Sequence, residues 1–197
     1  MIVLGLTGSI GMGKSTVARM FEAQGIPVFD ADAAVHRLQA TGGALVEAIE
    51  RRFPGTTDAS GVDRTALAAA VLGDRPALRD LEALVHPAVA QERRAFLRDH
   101  ADKPVVVLDI PLLFEKGGES SVDKIAVVSA PADVQRRRVL ERPGMTEQKF
   151  EHILALQTPD SEKRARADFI IPTGGSMEET EAAVRHIISC LAQAPDS

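Results

Sequence analysis

The chain has 197 residues, enough for one moderate domain or for a core with insertions. Its formal net charge is −5, and it contains neither Trp nor Tyr. Nonspecific nucleic-acid binding relies on an excess of Lys and Arg and on aromatic stacking, so this composition argues against a nucleic-acid-binding protein.

The only cysteine is Cys190, which excludes an internal disulfide and a Cys-based zinc cage and favours a reducing cytosol. Cys190 lies late in an apolar helical pattern, and we expect it to be a small residue of the core. We find no signal peptide and no apolar run long enough to span a bilayer, so we expect a cytoplasmic protein.

The N-terminal stretch carries the clearest functional pattern. An apolar run at residues 2–6 predicts a buried parallel strand, and residues 8–15 then match G-x-x-x-x-G-K-[ST]. A helical pattern follows, which completes the strand, loop and helix of a phosphate-binding loop. Glycines let backbone N–H groups approach phosphate oxygens, Lys14 would reach the β- and γ-phosphates, and the Ser15 hydroxyl would bind Mg²⁺. The expected nucleotide-binding residues here are Gly8, Gly11, Met12, Gly13, Lys14, Ser15 and Thr16.

Two acids follow a second predicted strand at residues 26–29. We expect Asp30 to cap the next helix. For Asp32 two interpretations stay open, a solvated acid in the first turn or a carboxylate that accepts a hydroxyl proton during phosphoryl transfer.

Residues 33–103 predict an all-helical insertion between the second and third strands of the core, because short amphipathic patterns alternate with turn signals. Asp63 is an expected N-cap, and Pro87 is suited to the first turn of a new helix. His86, which precedes that proline, is by itself more often structural than catalytic.

A third strand at residues 105–109 ends in Asp109, where many phosphate-loop proteins carry an acid near Mg²⁺. A strand-end cap is an equal alternative for Asp109. A fourth strand is predicted at residues 124–128.

Residues 131–167 predict a basic helical hairpin that could close over the nucleotide as a lid. Arg138 and Arg142 are four residues apart and would share one helical face. Such a charge run is usually a solvated face, but beside a phosphate loop two guanidiniums could clamp the transferring phosphoryl group.

The C-terminal part predicts a last strand at residues 169–171 and a final helix through about Leu191. Ser176 and Glu179 have the spacing of a capping box at the start of that helix. Residues 192–197 read as a short polar tail.

The order of these elements resembles the dephospho-coenzyme A kinase family over nearly the whole chain. The resemblance is carried by residues 5–16, 30–32, 84–87 and 111–115, by Gln135, Arg138 and Arg142, and by residues 153–157, Lys163, Ala167 and Asp168. The His-Pro, Pro-Leu-Leu and Ala-Asp elements are more specific than the phosphate loop, which alone indicates only an NTPase or kinase.

The resemblance implies an α/β fold of the P-loop NTPase class: a three-layer αβα sandwich with a parallel sheet, like that of nucleoside monophosphate kinases, with a helical insertion and a helical lid. The expected domains are a nucleotide-binding core at 1–32, 104–130 and 168–197, a helical domain at 33–103 that binds the coenzyme, and a lid at 131–167.

The resemblance also implies that ATP phosphorylates the ribose 3′-hydroxyl of dephospho-CoA, giving CoA and ADP. By position, Asp32 would lie beside that hydroxyl, Lys14 and Arg138 would hold the phosphoryl group, and Arg142 would act from the lid. His86 would help to form the coenzyme side. The expected cofactors are ATP and Mg²⁺, and a monomer is expected, with a homo-oligomer as the alternative.

The chain departs from the family pattern in two places. The family tends to have Asn near the adenine after the last strand, whereas this chain has Pro172-Thr173-Gly174 there and contains no Asn. Thr173 is the expected partial substitute, and the choice between ATP and GTP stays open. Met12 stands where a small residue is commoner, and we expect little effect because that position contributes mainly its backbone N–H.

Two alternatives to this function remain. One is another small-molecule kinase, acting on shikimate, gluconate or a nucleotide; the other is a nucleotide-dependent switch. A GTPase of the usual kind needs an Asn-Lys-x-Asp motif, which a chain without Asn cannot supply.

Overall fold

The structure is a computed structural model that describes residues 1–192. Its strands are β1 (Ile2–Thr7), β2 (Val28–Asp30), β3 (Thr57–Asp58), β4 (Gly61–Val62), β5 (Val105–Asp109), β6 (Lys124–Ser129) and β7 (Phe169–Pro172). Its α-helices are α1 (Lys14–Ala23), α2 (Ala31–Gln39), α3 (Val46–Arg52), α4 (Arg64–Val71), α5 (Arg75–Asp99), α6 (Ala132–Leu140), α7 (Glu147–Ala155), α8 (Asp160–Ala165) and α9 (Met177–Ala192). The predicted tail at 192–197 falls outside the described residues except for Ala192, which is helical.

Five strands form one parallel sheet in the order β2-β5-β1-β6-β7. Strand β1 lies at its centre because its apolar residues have neighbours on both sides, β5 and β6. In the register of β1 and β5, Leu6 is opposite Asp109. The carboxyl end of β5 therefore lies beside the residues that enter the phosphate loop.

Helices cover both faces of this sheet, which confirms the predicted three-layer architecture. Strand β6 shows the alternation: Ala126 and Val128 belong to a core shared with α1 and α9, whereas Ile125 and Val127 belong to a core on the opposite face with Leu113. Helix α8 packs beside β6.

The chain divides into two compact units, residues 30–99 and the remainder. The 30–99 unit has its own core, which includes Leu38, Ile49 and Leu67. The prediction that this insertion is all-helical was wrong, because β3 and β4 form a short antiparallel hairpin within it. Asp58 accepts a hydrogen bond from the N–H of Ser60 at 2.7 Å, which closes the turn.

The prediction for Pro87 was also wrong. It lies inside the 25-residue helix α5 rather than in the first turn of a separate helix. A proline removes one hydrogen bond from a helix interior. Here Leu84 and Val85 before it and Ala88 and Val89 after it all pack against the core of the unit, so packing on both sides maintains the helix.

The predicted helix caps are confirmed. Asp30 accepts a hydrogen bond from the N–H of Ala33 at 2.9 Å, and Asp63 caps α4 in the same way. Ser176 and Glu179 form both hydrogen bonds of a capping box at the start of α9.

The prediction that Cys190 is a core residue was wrong, because its side chain is exposed. Helix α9 buries Val184, Ile187 and Leu191, and Cys190 lies off that face, with Sγ 3.6 Å from Nε2 of His186. No helix within residues 1–192 combines the length and the apolar character needed to cross a membrane.

Candidate active site

The phosphate loop connects β1 to α1, and its backbone conformation requires glycine. Gly11 and Gly13 have φ angles of 77° and 91°, a region that other residues rarely adopt. A side chain at Gly11 would also collide with α6, since its Cβ would lie 2.4 Å from a methyl group of Val139. Gly8, just after β1, is similarly close to the backbone of Val128 in β6.

Helix α1 begins at Lys14, directly after the loop. Ser15 and Thr16 lie in its first turn, where the helix dipole favours an anion, and the N–H of Thr16 donates to the carbonyl of Gly13 at 3.0 Å. The Ser15 side chain is exposed, and Thr16 is partly buried. The loop and the start of α1 therefore offer an anion-binding end with a hydroxyl at hand.

Lys14 forms an ion pair with Asp109. The Lys14 ammonium contacts Oδ1 of Asp109, whose side chain is 4% exposed, at the end of β5. The parallel pairing of β1 and β5 brings these two residues together. Asp109 thus lies beside the lysine of the phosphate loop, as a nearby acid.

Thr173, Met12 and Arg138 form a hydrogen-bonded chain beside the loop. The Thr173 hydroxyl donates to the carbonyl of Met12 at 2.6 Å. The Arg138 guanidinium donates to the Thr173 carbonyl at 2.6 Å and to its hydroxyl at 3.3 Å. The Thr173 side chain therefore fixes the loop and an arginine.

The side chain of Met12 belongs to the core and not to the loop surface. It is 2% exposed, and its sulfur accepts a hydrogen bond from the N–H of Ala130 at 3.1 Å. A larger residue at this position is thus accommodated beneath the loop.

Arg138 and Arg142 line the same cavity, of about 210 Å³, together with Gly11, Gly13, Thr16 and Thr173. They do not share a helix, since α6 ends at Leu140 and Arg142 follows it in a turn. The two predicted arginines and three of the predicted loop residues, Gly11, Gly13 and Thr16, therefore surround one space.

Two glutamines at this site had no predicted role. Gln135 of α6 and Gln157, between α7 and α8, both hydrogen-bond to the backbone of Ile10 in the phosphate loop. Both glutamines carried only the family resemblance, and Gln135 lies in a run of charged residues. Their contacts depend on tertiary packing, which sequence spacing does not give.

A second unpredicted feature is the buried ion pair of Glu115 and Lys163. The Lys163 side chain is fully buried, and its Nζ lies 2.8 Å from Oε1 of Glu115. The same oxygen accepts a hydrogen bond from the N–H of Thr158 at 2.9 Å. Burial raises the pKa of Glu115, but the contacts with Lys163 and the N–H groups outweigh it and leave the pKa below its ordinary value.

The remaining candidates lie in the 30–99 unit. Asp32 is exposed in the first turn of α2, and His86 is exposed on α5. Among the described residues, no group of three His, Cys, Asp or Glu side chains could form a metal cage. The oxygens of Ser15 and Asp109 are the donors beside the loop, and Mg²⁺ prefers such ligands with phosphate oxygens and water.

Comparison with known proteins identifies relatives along the whole chain. The sequence profile of the dephospho-CoA kinase family matches residues 2–179. The dephospho-CoA kinase of Novosphingobium aromaticivorans is 61% identical over 96% of this chain and 94% of its own. That of Mesorhizobium japonicum is 57% identical over 97% of each chain.

Solved structures show the same fold. The protein TT1252 from Thermus thermophilus has a TM-score of 0.80 and 38% identity, covering 96% of this chain and 97% of its own. A dephospho-CoA kinase from Campylobacter jejuni has a TM-score of 0.66 and 22% identity, covering 98% of each chain. A shikimate kinase from Acinetobacter baumannii shares the fold at a TM-score of 0.52 and 16% identity, over 100% of this chain and 96% of its own.

Proposed function

The chain belongs to the dephospho-CoA kinase family, and from this premise we propose how its residues transfer the γ-phosphoryl group of ATP to the ribose 3′-hydroxyl of dephospho-CoA. The observation that carries the proposal is the shared cavity, in which Arg138 and Arg142 face the glycines of the phosphate loop. Two guanidiniums on one side of a space and the N-terminal end of α1 on the other suit a phosphoryl group whose charge must be neutralised during transfer.

The phosphate loop and Lys14 hold the triphosphate. Backbone N–H groups at the start of α1 bind phosphate oxygens, and the Lys14 ammonium binds the β- and γ-phosphates. Because Asp109 contacts Lys14, it also keeps that ammonium at the loop. Arg138, held by Thr173, neutralises charge on the transferring group, and Arg142 adds a second guanidinium.

Mg²⁺ fits the oxygen donors at this end of the sheet. Ser15 and Asp109 are the residues that would hold it, directly or through water. When bound, the ion neutralises charge on the β- and γ-phosphates.

Asp32 orients the acceptor hydroxyl and takes its proton. The hydroxyl oxygen forms the new bond to the γ-phosphorus, the bond from that phosphorus to the β–γ bridging oxygen breaks, and ADP leaves with that oxygen. We assign Asp32 rather than Asp30 because the Asp30 carboxylate already caps α2, whereas Asp32 follows in the first turn of that helix and is not its cap. His86 and the rest of residues 33–103 contribute to coenzyme binding, and residues 131–167 act as a lid that excludes water.

Adenine recognition does not rest on a side-chain amide in this proposal. The Thr173 hydroxyl donates to Met12, so it offers the base an acceptor at most. We infer ATP as the donor, used by a cytoplasmic monomer; the exposed thiol of Cys190 suits a reducing compartment.

The test is ADP release from Mg-ATP by the purified protein with dephospho-CoA, shikimate, gluconate or no acceptor, with the product mass measured each time. We expect stimulation by dephospho-CoA alone, with CoA as the product. Hydrolysis that ignores the acceptor, or stimulation by a smaller one, would overturn the acceptor assignment. Repeating the assay with GTP tests the nucleotide, and light scattering tests the monomer.

A further inference from the structure

One residue of the phosphate loop, Ile10, has both of its backbone polar groups bound by side chains, one in the peptide before it and one in the peptide after it. The N–H of Ile10 donates to Oε1 of Gln157 at 3.1 Å, and the carbonyl of Ile10 accepts from Nε2 of Gln135 at 2.7 Å. Each amide orientation is dictated by its partner, since a backbone N–H can only donate and a carbonyl can only accept.

The two glutamines come from distant parts of the chain. They are 125 and 147 residues from Ile10, and both lie in the 131–167 segment. Gln135 is 6% exposed, in a helix that meets the loop so closely that a Cβ on Gly11 would lie 3.0 Å from the Gln135 carbonyl. The contact is therefore built into the packing of α6 against the loop.

The connection that carries Gln157 is itself anchored. Thr158, the next residue, donates its N–H to Glu115 at 2.9 Å. Two residues later, the carboxylate of Asp160 accepts a hydrogen bond from the Ser129 hydroxyl at 2.8 Å. These contacts restrict the connection at two points beside Gln157, so the Gln157 amide is held in place before any ligand binds.

We propose that Gln135 and Gln157 are positioning residues that preorganise the phosphate loop by holding the two adjacent peptide groups that flank Ile10. Neither is assigned a contact with substrate. Ile10 precedes Gly11, where the chain enters the left-handed conformation that presents the following N–H groups. Fixing the peptide groups on both sides of Ile10 sets the direction of those donors, and preorganised donors stabilise the transition state without a reorganisation cost. The inference rests on the proposed role of the loop in phosphate binding.

Gln157 accepts a hydrogen bond from Ile10, whereas Gln135 donates one to it, so the same substitution should have different effects at the two positions. Gln157→Glu keeps an acceptor for the Ile10 N–H, whereas Gln135→Glu loses the donor and places an oxygen against the Ile10 carbonyl. Both add the same charge near the loop, so their difference reports hydrogen-bond polarity. Gln157→Met and Gln135→Met remove the polar group at similar length without adding charge.

The measurements are kcat, KM for ATP and KM for dephospho-CoA, the Kd of Mg-ADP by calorimetry, and the melting temperature of each variant. We expect both methionine variants to lose about 5-fold or more in kcat/KM for ATP, the lower end of the cost of an unpaired buried polar group, because both contacts are part-buried. We compare kcat/KM for ATP between the Glu and the Met variant at each position. The value for Gln157→Glu divided by that for Gln157→Met should exceed the corresponding quotient at Gln135 by about tenfold or more. KM for dephospho-CoA should stay near its wild-type value.

Equal effects of Glu at the two positions would overturn the proposal, as would methionine variants with wild-type kcat/KM. Losses of kcat/KM that correlate only with the melting temperatures of the variants, with no difference between Glu at the two positions, would also overturn it. If dephospho-CoA did not stimulate the wild-type enzyme, only the proposed acceptor would be overturned. The order of Mg-ADP affinities among the variants would still test the positioning role of Gln135 and Gln157.

Discussion

Lys14 and Asp109 are 95 residues apart in the chain and form an ion pair beside the phosphate loop. The contact follows from strand order: β5 pairs with β1, so an acid that ends β5 meets the lysine that begins α1. Asp109 is thus placed to hold Lys14 and, as we propose, to share a Mg²⁺ ion with Ser15.

Asp109→Asn should raise the Mg²⁺ concentration needed for half-maximal activity by about tenfold or more, because a neutral amide is a weaker ligand for a hard cation than a carboxylate is. The measurement is a Mg²⁺ titration of initial rates at saturating nucleotide. An unchanged Mg²⁺ dependence together with a lower melting temperature would mean that Asp109 only stabilises Lys14.

Asp32→Asn should lower kcat by about 10²- to 10⁴-fold, the usual contribution of a positioned acid or base. KM for ATP and the melting temperature should change little, since the side chain is exposed. The matched variant is Asp30→Ala, which removes a helix cap and should cost about 1 kcal/mol of stability while the folded enzyme stays active. Equal losses of turnover and ATP affinity in Asp32→Asn would contradict its role.

Arg138→Lys should lower kcat by about 10²- to 10³-fold, because an ammonium cannot donate to both oxygens of Thr173 and still reach the phosphoryl group as a guanidinium does. Arg137→Lys is the control, since Arg137 is an exposed neighbour on the same helix. Steady-state rates with saturating substrates compare the two variants. Similar rates would show that the planar fork of Arg138 is dispensable.

Glu115→Gln should destabilise the protein by about 3 kcal/mol, because it leaves the buried ammonium of Lys163 without its counter-charge. The double variant with Lys163→Met should recover part of this loss. Chemical denaturation at pH 7 measures both.

The same pair predicts a pH dependence. The pKa of Glu115 is depressed in the folded protein, so its contribution is present above the ordinary Glu pKa of about 4.3 and is lost as the pH falls through the folded value. The stability difference between wild type and Glu115→Gln should therefore shrink below about pH 4. A difference that stays constant down to pH 3 would contradict this linkage.

Strong local patterns made much of the fold predictable. The apolar runs of β1, β5 and β6 and the caps of Asp30 and Asp63 follow from residue order alone. The β3–β4 hairpin was missed because two-residue strands carry no periodic pattern. The prediction that Pro87 begins a new helix was wrong because packing on both sides of it outweighs the preference of proline for a first turn.

Candidate site residues follow from the sequence where a motif indicates the chemistry, but not where tertiary packing creates the contact. The phosphate-loop motif indicates Lys14, and the arginine run indicates Arg138. No spacing rule could reveal that Gln135 and Gln157 hold Ile10, or that Glu115 pairs with Lys163, because each contact joins segments that only the tertiary fold brings together. For Cys190 the sequence pattern predicted burial that the structure does not show. The residue lies within an apolar stretch of α9 but off the buried face of that helix.

The position of β1 at the centre of the sheet has a consequence for synthesis on the ribosome. β1 ends at Thr7, but its two neighbours begin at Val105 and Lys124. Because synthesis adds about 5–20 residues per second, β1 is made roughly 5 to 20 seconds before β5, the first of its two neighbours. The 30–99 unit can collapse on its own core in that interval, whereas the apolar β1 must remain unpaired and exposed to chaperones. The phosphate loop, although near the start of the chain, can reach its final shape only after Gln135, Gln157 and Thr173, which hold it, have been made.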